Sequence, residues 1–209
     1  MRTISNEEYL EVLHAISADP NIDQYTAPTS TTLDFINQLV THTAVTRIFE
    51  IGFGSGHFSL LMLQASASIH VTSIDDGSNE YTQSSMDLIH SKFLNRFVGK
   101  IADSTTYSME DDPEKDNYEL AIIDGDRSTE AAVRHNLDLV NQSKADWILL
   151  PNILDPHVEN AVDAFLTTND EDWVWHRTVQ WKTTPAGRHD NNVFTNTAFL
   201  LNRLRSLDD

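Results

Sequence analysis

Carboxylates that close short apolar runs are the residues of this chain best suited to chemistry. Glu50 closes Arg47-Ile-Phe, Asp75 closes Ser68 to Ile74, Asp103 follows Phe97 to Ile101, and Asp124 follows Tyr118 to Ile123. Asn152 stands in the same situation after Asp146 to Leu150 and Pro151. A carboxylate can accept several hydrogen bonds, hold a hard cation through oxygen, or take a proton as a general base. One acid in such a position is ordinarily a turn former, whereas four argue for a ligand. The segment Gly52-Phe53-Gly54-Ser55-Gly56 holds three of the seven glycines. Glycine admits unusual backbone dihedrals and close approach of a ligand, and a helix starting after it offers unpaired N–H groups.

These residues need elements to position them. Arg47 to Leu63 reads as strand, tight loop and helix, because an apolar β-prone run gives way to glycines and then to apolar residues at helical spacing. Ser68 to Asp75, Phe97 to Ile101, Tyr118 to Ile123 and Asp146 to Leu150 read as further strands. Helices are expected over Asn6 to Ser17, from Thr31 with Asp34 in a capping-box position, over Thr82 to Asn95, over Thr129 to Val140, and from Asp155-Pro156 onward. Trp173 to Trp181 and Val193 to Asn202 read as a terminal hairpin around the polar loop Lys182 to Asn192. Strands alternating with helices imply a mostly parallel sheet covered on both faces, with its ligand at the carboxyl ends of the strands.

Composition narrows the function classes. The length of 209 residues fits a single domain, and the absence of cysteine excludes thiolate metal sites and cysteine nucleophiles. No apolar run is long enough to span a membrane and the first residues do not resemble a secretory signal, so a cytoplasmic protein without membrane partners is expected. A net charge of -18 opposes nucleic acid as a partner, since such binding depends on Lys and Arg neutralising phosphates.

The glycine spacing then separates two kinds of ligand. A dinucleotide site has G-x-G-x-x-G, with a pyrophosphate at the helix start; here the pattern is G-x-G-x-G preceded by Glu50. On Glu50-Ile-Gly-Phe-Gly-Ser-Gly56, Asp75, Asp103-Ser104 and Glu119-Leu-Ala-Ile-Ile-Asp-Gly-Asp-Arg-Ser128, the chain resembles the class I S-adenosylmethionine-dependent methyltransferases, in particular the small-molecule O-methyltransferase branch. The resemblance runs from about residue 31 to residue 202. It implies a Rossmann-like three-layer α/β sandwich with a mostly parallel seven-stranded sheet and a C-terminal antiparallel hairpin, in one domain made of a helical cover over 1–43 and a core over 44–209.

The resemblance also implies roles. Glu50, Gly52, Phe53, Gly54, Gly56 and His57 would hold the methionine and ribose part of S-adenosylmethionine, Asp75 the two ribose hydroxyls, Asp103 and Ser104 the adenine, with Asp124 nearby. Asp124, Asp126, His157 and His189 are the candidate bases for a hydroxyl acceptor, while each histidine also reads as an ordinary surface residue. Related enzymes hold Mg²⁺ with an acid after the fourth strand and an Asp-Asn pair after the fifth. Asp124 and Asn152 match, but Pro151 brings no ligand and Arg127 replaces a frequent histidine. The expected activity is O-methylation of a small molecule such as a sugar or secondary metabolite. A non-catalytic cofactor-binding module and a nicotinamide-dependent oxidoreductase are the alternatives, and self-association is left open.

Overall fold

Apolar runs buried on both faces build the centre of the protein in a computed structural model. It describes residues 26–28, 30–151, 156–185 and 194–204, with the backbone alone at 26–28, 30–33, 177–185 and 194–197. In chain order the elements are β1 (Thr26–Pro28), α1 (Ser30–Thr43), β2 (Arg47–Ile51), α2 (His57–Ala65), β3 (His70–Asp75), α3 (Thr82–Phe93), β4 (Phe97–Ile101), β5 (Leu120–Ile123), α4 (Glu130–Asn141), β6 (Trp147–Pro151), α5 (Pro156–Thr168), β7 (Trp173–Pro185) and β8 (Phe194–Arg203). The helix expected over Asn6 to Ser17 lies outside the described residues.

All eight strands join one sheet in the order β1-β7-β8-β6-β5-β2-β3-β4. From β4 through β3, β2 and β5 to β6 the pairings are parallel. β8 then runs antiparallel to β6, and β7 antiparallel to β8. Strands β2 to β8 therefore form the expected seven-stranded sheet with its terminal hairpin. β1 adds a three-residue edge antiparallel to β7, within the stretch read from sequence as helical cover. Three residues ending in Pro28 are too few to show a period of two, and proline is tolerated there because an edge strand has N–H groups without a sheet partner.

Alternation along the strands separates two cores. Ile48, Leu120, Ile122 and Leu149 pack with Ile36 and Leu39 of α1, Leu60 to Leu63 of α2, and Met86, Ile89 and Phe93 of α3. Phe49, Ile51, Ala121, Ile123, Ile148 and Leu150 face the other way, onto Val133, Leu137 and Val140 of α4 and Val158, Val162 and Phe165 of α5. Each fully buried large apolar side chain contributes about 1.5–3 kcal/mol relative to exposure.

Polar contacts set the ends of these elements. The Thr129 hydroxyl accepts the Ala132 N–H (3.1 Å) and caps α4. Glu119 Oε2 accepts the N–H groups of Thr46 and Arg47, fastening the start of β5 to the start of β2. The chain runs outward through β2, β3 and β4, then crosses to β5 on the other side of β2. That reversal opens a crevice at the carboxyl ends of β2 and β5. Among the described residues no helix is long and apolar enough to cross a membrane.

Candidate functional site

The three glycines after β2 are needed for three different reasons. Ile51 pairs with Ile74 of β3 and Ile123 of β5, so Gly52 is wedged between the residues that follow on each side. A Cβ at Gly52, whose φ is +88°, would stand 2.4 Å from the Gly125 nitrogen. A Cβ at Gly56 (φ +85°) would strike the Phe53 ring and Ile89 at 2.5 and 2.6 Å. At Gly54 (φ +54°) a Cβ would meet nothing within 4 Å. Two glycines are thus dictated by packing, and the middle one borders open space where a ligand could reach the backbone. Phe53 itself is buried, its ring centroid 5.6 Å from that of Phe97, so its side chain anchors the loop in the core.

Asp75 is the carboxylate most directly coupled to this loop. Its Oδ2 accepts the Gly54 N–H at 2.9 Å and its Oδ1 accepts the Gly77 N–H at 2.9 Å. Two backbone donors fix its plane, and each oxygen keeps acceptor capacity for a pair of hydroxyls. Gly54 is held from the opposite side, its carbonyl accepting the buried Thr82 hydroxyl at 3.3 Å.

Glu50 is placed differently from what its position before the glycines suggests. β2 continues through Ile51, and Glu50 lies within it, 1 % exposed, opposite Ser73 of β3. Its Oε2 accepts the hydroxyls of Ser59 (2.5 Å) and Ser73 (2.6 Å). Burial raises its pKa to about 7, with Asp124 and Asp75 adding to the rise and the two serines opposing it. Ser59 and Ser73 were legible only as polar interruptions of the apolar runs HFSLLML and HVTSID.

The loop after β5 carries Asp124 to Arg127. Asp124 forms an ion pair with Arg127, and burial raises its pKa while Arg127 opposes the rise. Asp126 is exposed and accepts the Ser128 N–H at 2.8 Å, which lowers its pKa. Asn136 of α4 sits beneath this loop at 1 % exposure, its Oδ1 making no hydrogen bond, with Nδ2 3.5 Å from where a Gly125 Cβ would be. Nothing in the sequence singled it out, because its register toward Gly125 is a helix–sheet packing feature.

The remaining candidates have other partners or lie farther off. Asp103 is exposed, and its Oδ1 accepts the Thr105 N–H (2.8 Å) and hydroxyl (2.7 Å), contacts that lower its pKa. The Ser104 carbonyl lies 2.9 Å from His135 Nε2. His57 Nδ1 lies 2.8 Å from the Ser55 hydroxyl, and desolvation lowers its pKa to about 4, so it is neutral. His157 is exposed in the first turn of α5. His189 and Asn152 lie outside the described residues. Among the described residues no three histidine or acidic side chains converge as a metal site.

A parallel sheet that reverses between β2 and β5 and ends in an antiparallel hairpin has the fold of the class I S-adenosylmethionine-dependent methyltransferases. Three solved structures illustrate the likeness. An O-methyltransferase from Bacillus cereus in complex with SAH superposes with a TM-score of 0.62 at 16% identity, over 95% of this chain and 92% of that one. TomG from Streptomyces achromogenes, an O-methyltransferase involved in tomaymycin synthesis and solved with SAM, gives a TM-score of 0.63 at 12% identity, over 98% and 93%. A candidate RNA methyltransferase from Pyrococcus horikoshii gives 0.62 at 12% identity, over 95% and 100%. No protein-family model matches the chain and no curated protein matches it by sequence. At these identities the likeness is one of fold.

Proposed function

We propose that this chain is an S-adenosylmethionine-dependent methyltransferase acting on an oxygen of a small molecule. The observation that carries the reading is the Gly54–Asp75 unit: a left-handed glycine facing open space, its N–H bonded to a carboxylate that retains acceptor sites for two neighbouring hydroxyls. A pyrophosphate would meet the Asp75 carboxylate as a repelling neighbour, whereas a nucleoside bearing a positive charge suits it.

When bound, S-adenosylmethionine supplies a methyl group activated by its sulfonium charge. Asp75 would hold the ribose hydroxyls through charge-assisted hydrogen bonds. Gly54 would admit the ligand to the backbone, and Asp103 with Ser104 would border the adenine. Glu50 acts from beneath the loop, where its burial leaves it poised between charged and neutral near pH 7. Aligning acceptor and methyl can lower the barrier by about 7–11 kcal/mol without a covalent nucleophile.

For the acceptor proton, Asp124 is the stronger base of the two loop acids, since burial raises its pKa while hydrogen bonding lowers that of Asp126. His157 and His189 are the outlying candidates. A Mg²⁺ ion on Asp124 and Asn152 would have to compete with Arg127 for Asp124, so metal-independent transfer is the reading we favour. The same ion pair supports a second reading, a cofactor-binding module without catalysis. The net charge of -18 argues against RNA as acceptor.

Calorimetry with S-adenosylhomocysteine tests the site. Asp75→Ala should weaken binding by about 1.5–3 kcal/mol, and undiminished affinity would refute the assignment. Stabilisation by NAD(H) alone would favour an oxidoreductase. Labelled methyl transfer across an acceptor panel, with and without Mg²⁺, separates the enzyme from the binding module.

A further inference from the structure

A second constellation lies at the amino end of β6, at the opposite end of the parallel strands from the glycine loop. His42 is one residue from the end of α1, and its Nε2 is 3.0 Å from Nε2 of His176 in β7, a residue 134 positions later. Two devices bring them together. Trp175 pairs with Leu201 and Arg177 with Leu200, so His176 is the extra residue of a β-bulge, which re-aims its side chain. Trp147, the first residue of β6, then walls the pair edge-on, its ring centroid 5.5 Å from His42 and 5.1 Å from His176. Both imidazoles are exposed.

We propose that His42 and His176 are ligands of a site for a divalent transition-metal ion of the Zn²⁺ and Cu²⁺ class. Imidazole suits these ions. With metal–nitrogen bonds of about 2.0–2.1 Å and ligand angles between a right angle and the tetrahedral value, two coordinating nitrogens stand about 2.8–3.4 Å apart, and 3.0 Å lies within that interval. Among the described residues no third histidine or acid completes the shell. Water fills the other positions, which it can reach because both imidazoles are exposed. The ion would clip the helical cover to the terminal hairpin, closing a long stretch of chain, the arrangement in which a cross-link stabilises most. This site is independent of the methyltransferase reading.

Cu²⁺ titration followed by electron paramagnetic resonance tests it. One equivalent should bind with a two-nitrogen superhyperfine pattern, and His42→Ala/His176→Ala should lose at least tenfold in affinity. Nine histidines occur in the chain, so the double variant is the necessary control for adventitious sites. In metal-free buffer, circular dichroism should show the same fold in both proteins. Zn²⁺ should then raise the melting temperature of the wild type and not that of the variant. Equal affinity in the two proteins, or absence of the two-nitrogen signal, would overturn the proposal and leave the pair as hydrogen-bonded imidazoles.

Discussion

Glu50 and His57 give the loop opposite responses to pH. Glu50 has a native pKa raised from 4.5 to about 7. Below pH 4.5 it is protonated whether the chain is folded or not, and it costs nothing. As pH rises through that window the unfolded chain releases the proton first, so stability falls, by on the order of 3 kcal/mol once pH 7 is passed. His57 has a native pKa lowered from 6.5 to about 4, so stability is gained as pH rises from 4 to 6.5. The two slopes offset each other between pH 4.5 and 6.5. Glu50→Gln should uncover the rising slope and His57→Asn the falling one, as read by urea unfolding at several pH values. Variants that differ from wild type by a constant offset at every pH would contradict both assignments. Glu50 was identifiable in sequence as an acid before the glycines, yet its burial between Ser59 and Ser73 was not, since that depends on which strand lies beside β2.

At the scale of elements, the β2–α2 loop separates packing from binding. Gly52→Ala combines a positive φ with backbone overlap against Gly125, and should cost about 2–5 kcal/mol of stability. Gly54→Ala meets no neighbour, so only the left-handed backbone is penalised, at about 1–2 kcal/mol. Its larger effect should fall on S-adenosylhomocysteine affinity. Thermal unfolding and calorimetry on the pair check this, and a Gly54→Ala protein that binds as tightly as wild type would remove the loop from the ligand site. The strands on either side were readable because β-branched runs bounded by acids and glycines persist through the core. The three-residue β1 and the His176 bulge were not, because neither carries a periodicity of its own.

For the whole molecule, the net charge of -18 must be carried mostly at the surface. Self-repulsion of that surface is screened as the Debye length falls from about 10 Å at 0.1 M salt to about 3 Å at 1 M. The melting temperature should rise by several degrees over that range of NaCl, and a flat or falling dependence would show that local ion pairs dominate instead. By itself the sequence determined the alternation of strands and helices, the G-x-G-x-G loop and the row of acids that follow parallel strands, because these are local patterns with local physical causes. Only the tertiary structure decided which of those acids face the crevice. Asp75 is turned to the loop by two backbone N–H groups, Asp124 is engaged by Arg127, Asp103 bonds its own turn, and Glu50 is sealed beneath. Those outcomes depend on strand order and helix register, contacts between residues far apart in the chain that no spacing along it records.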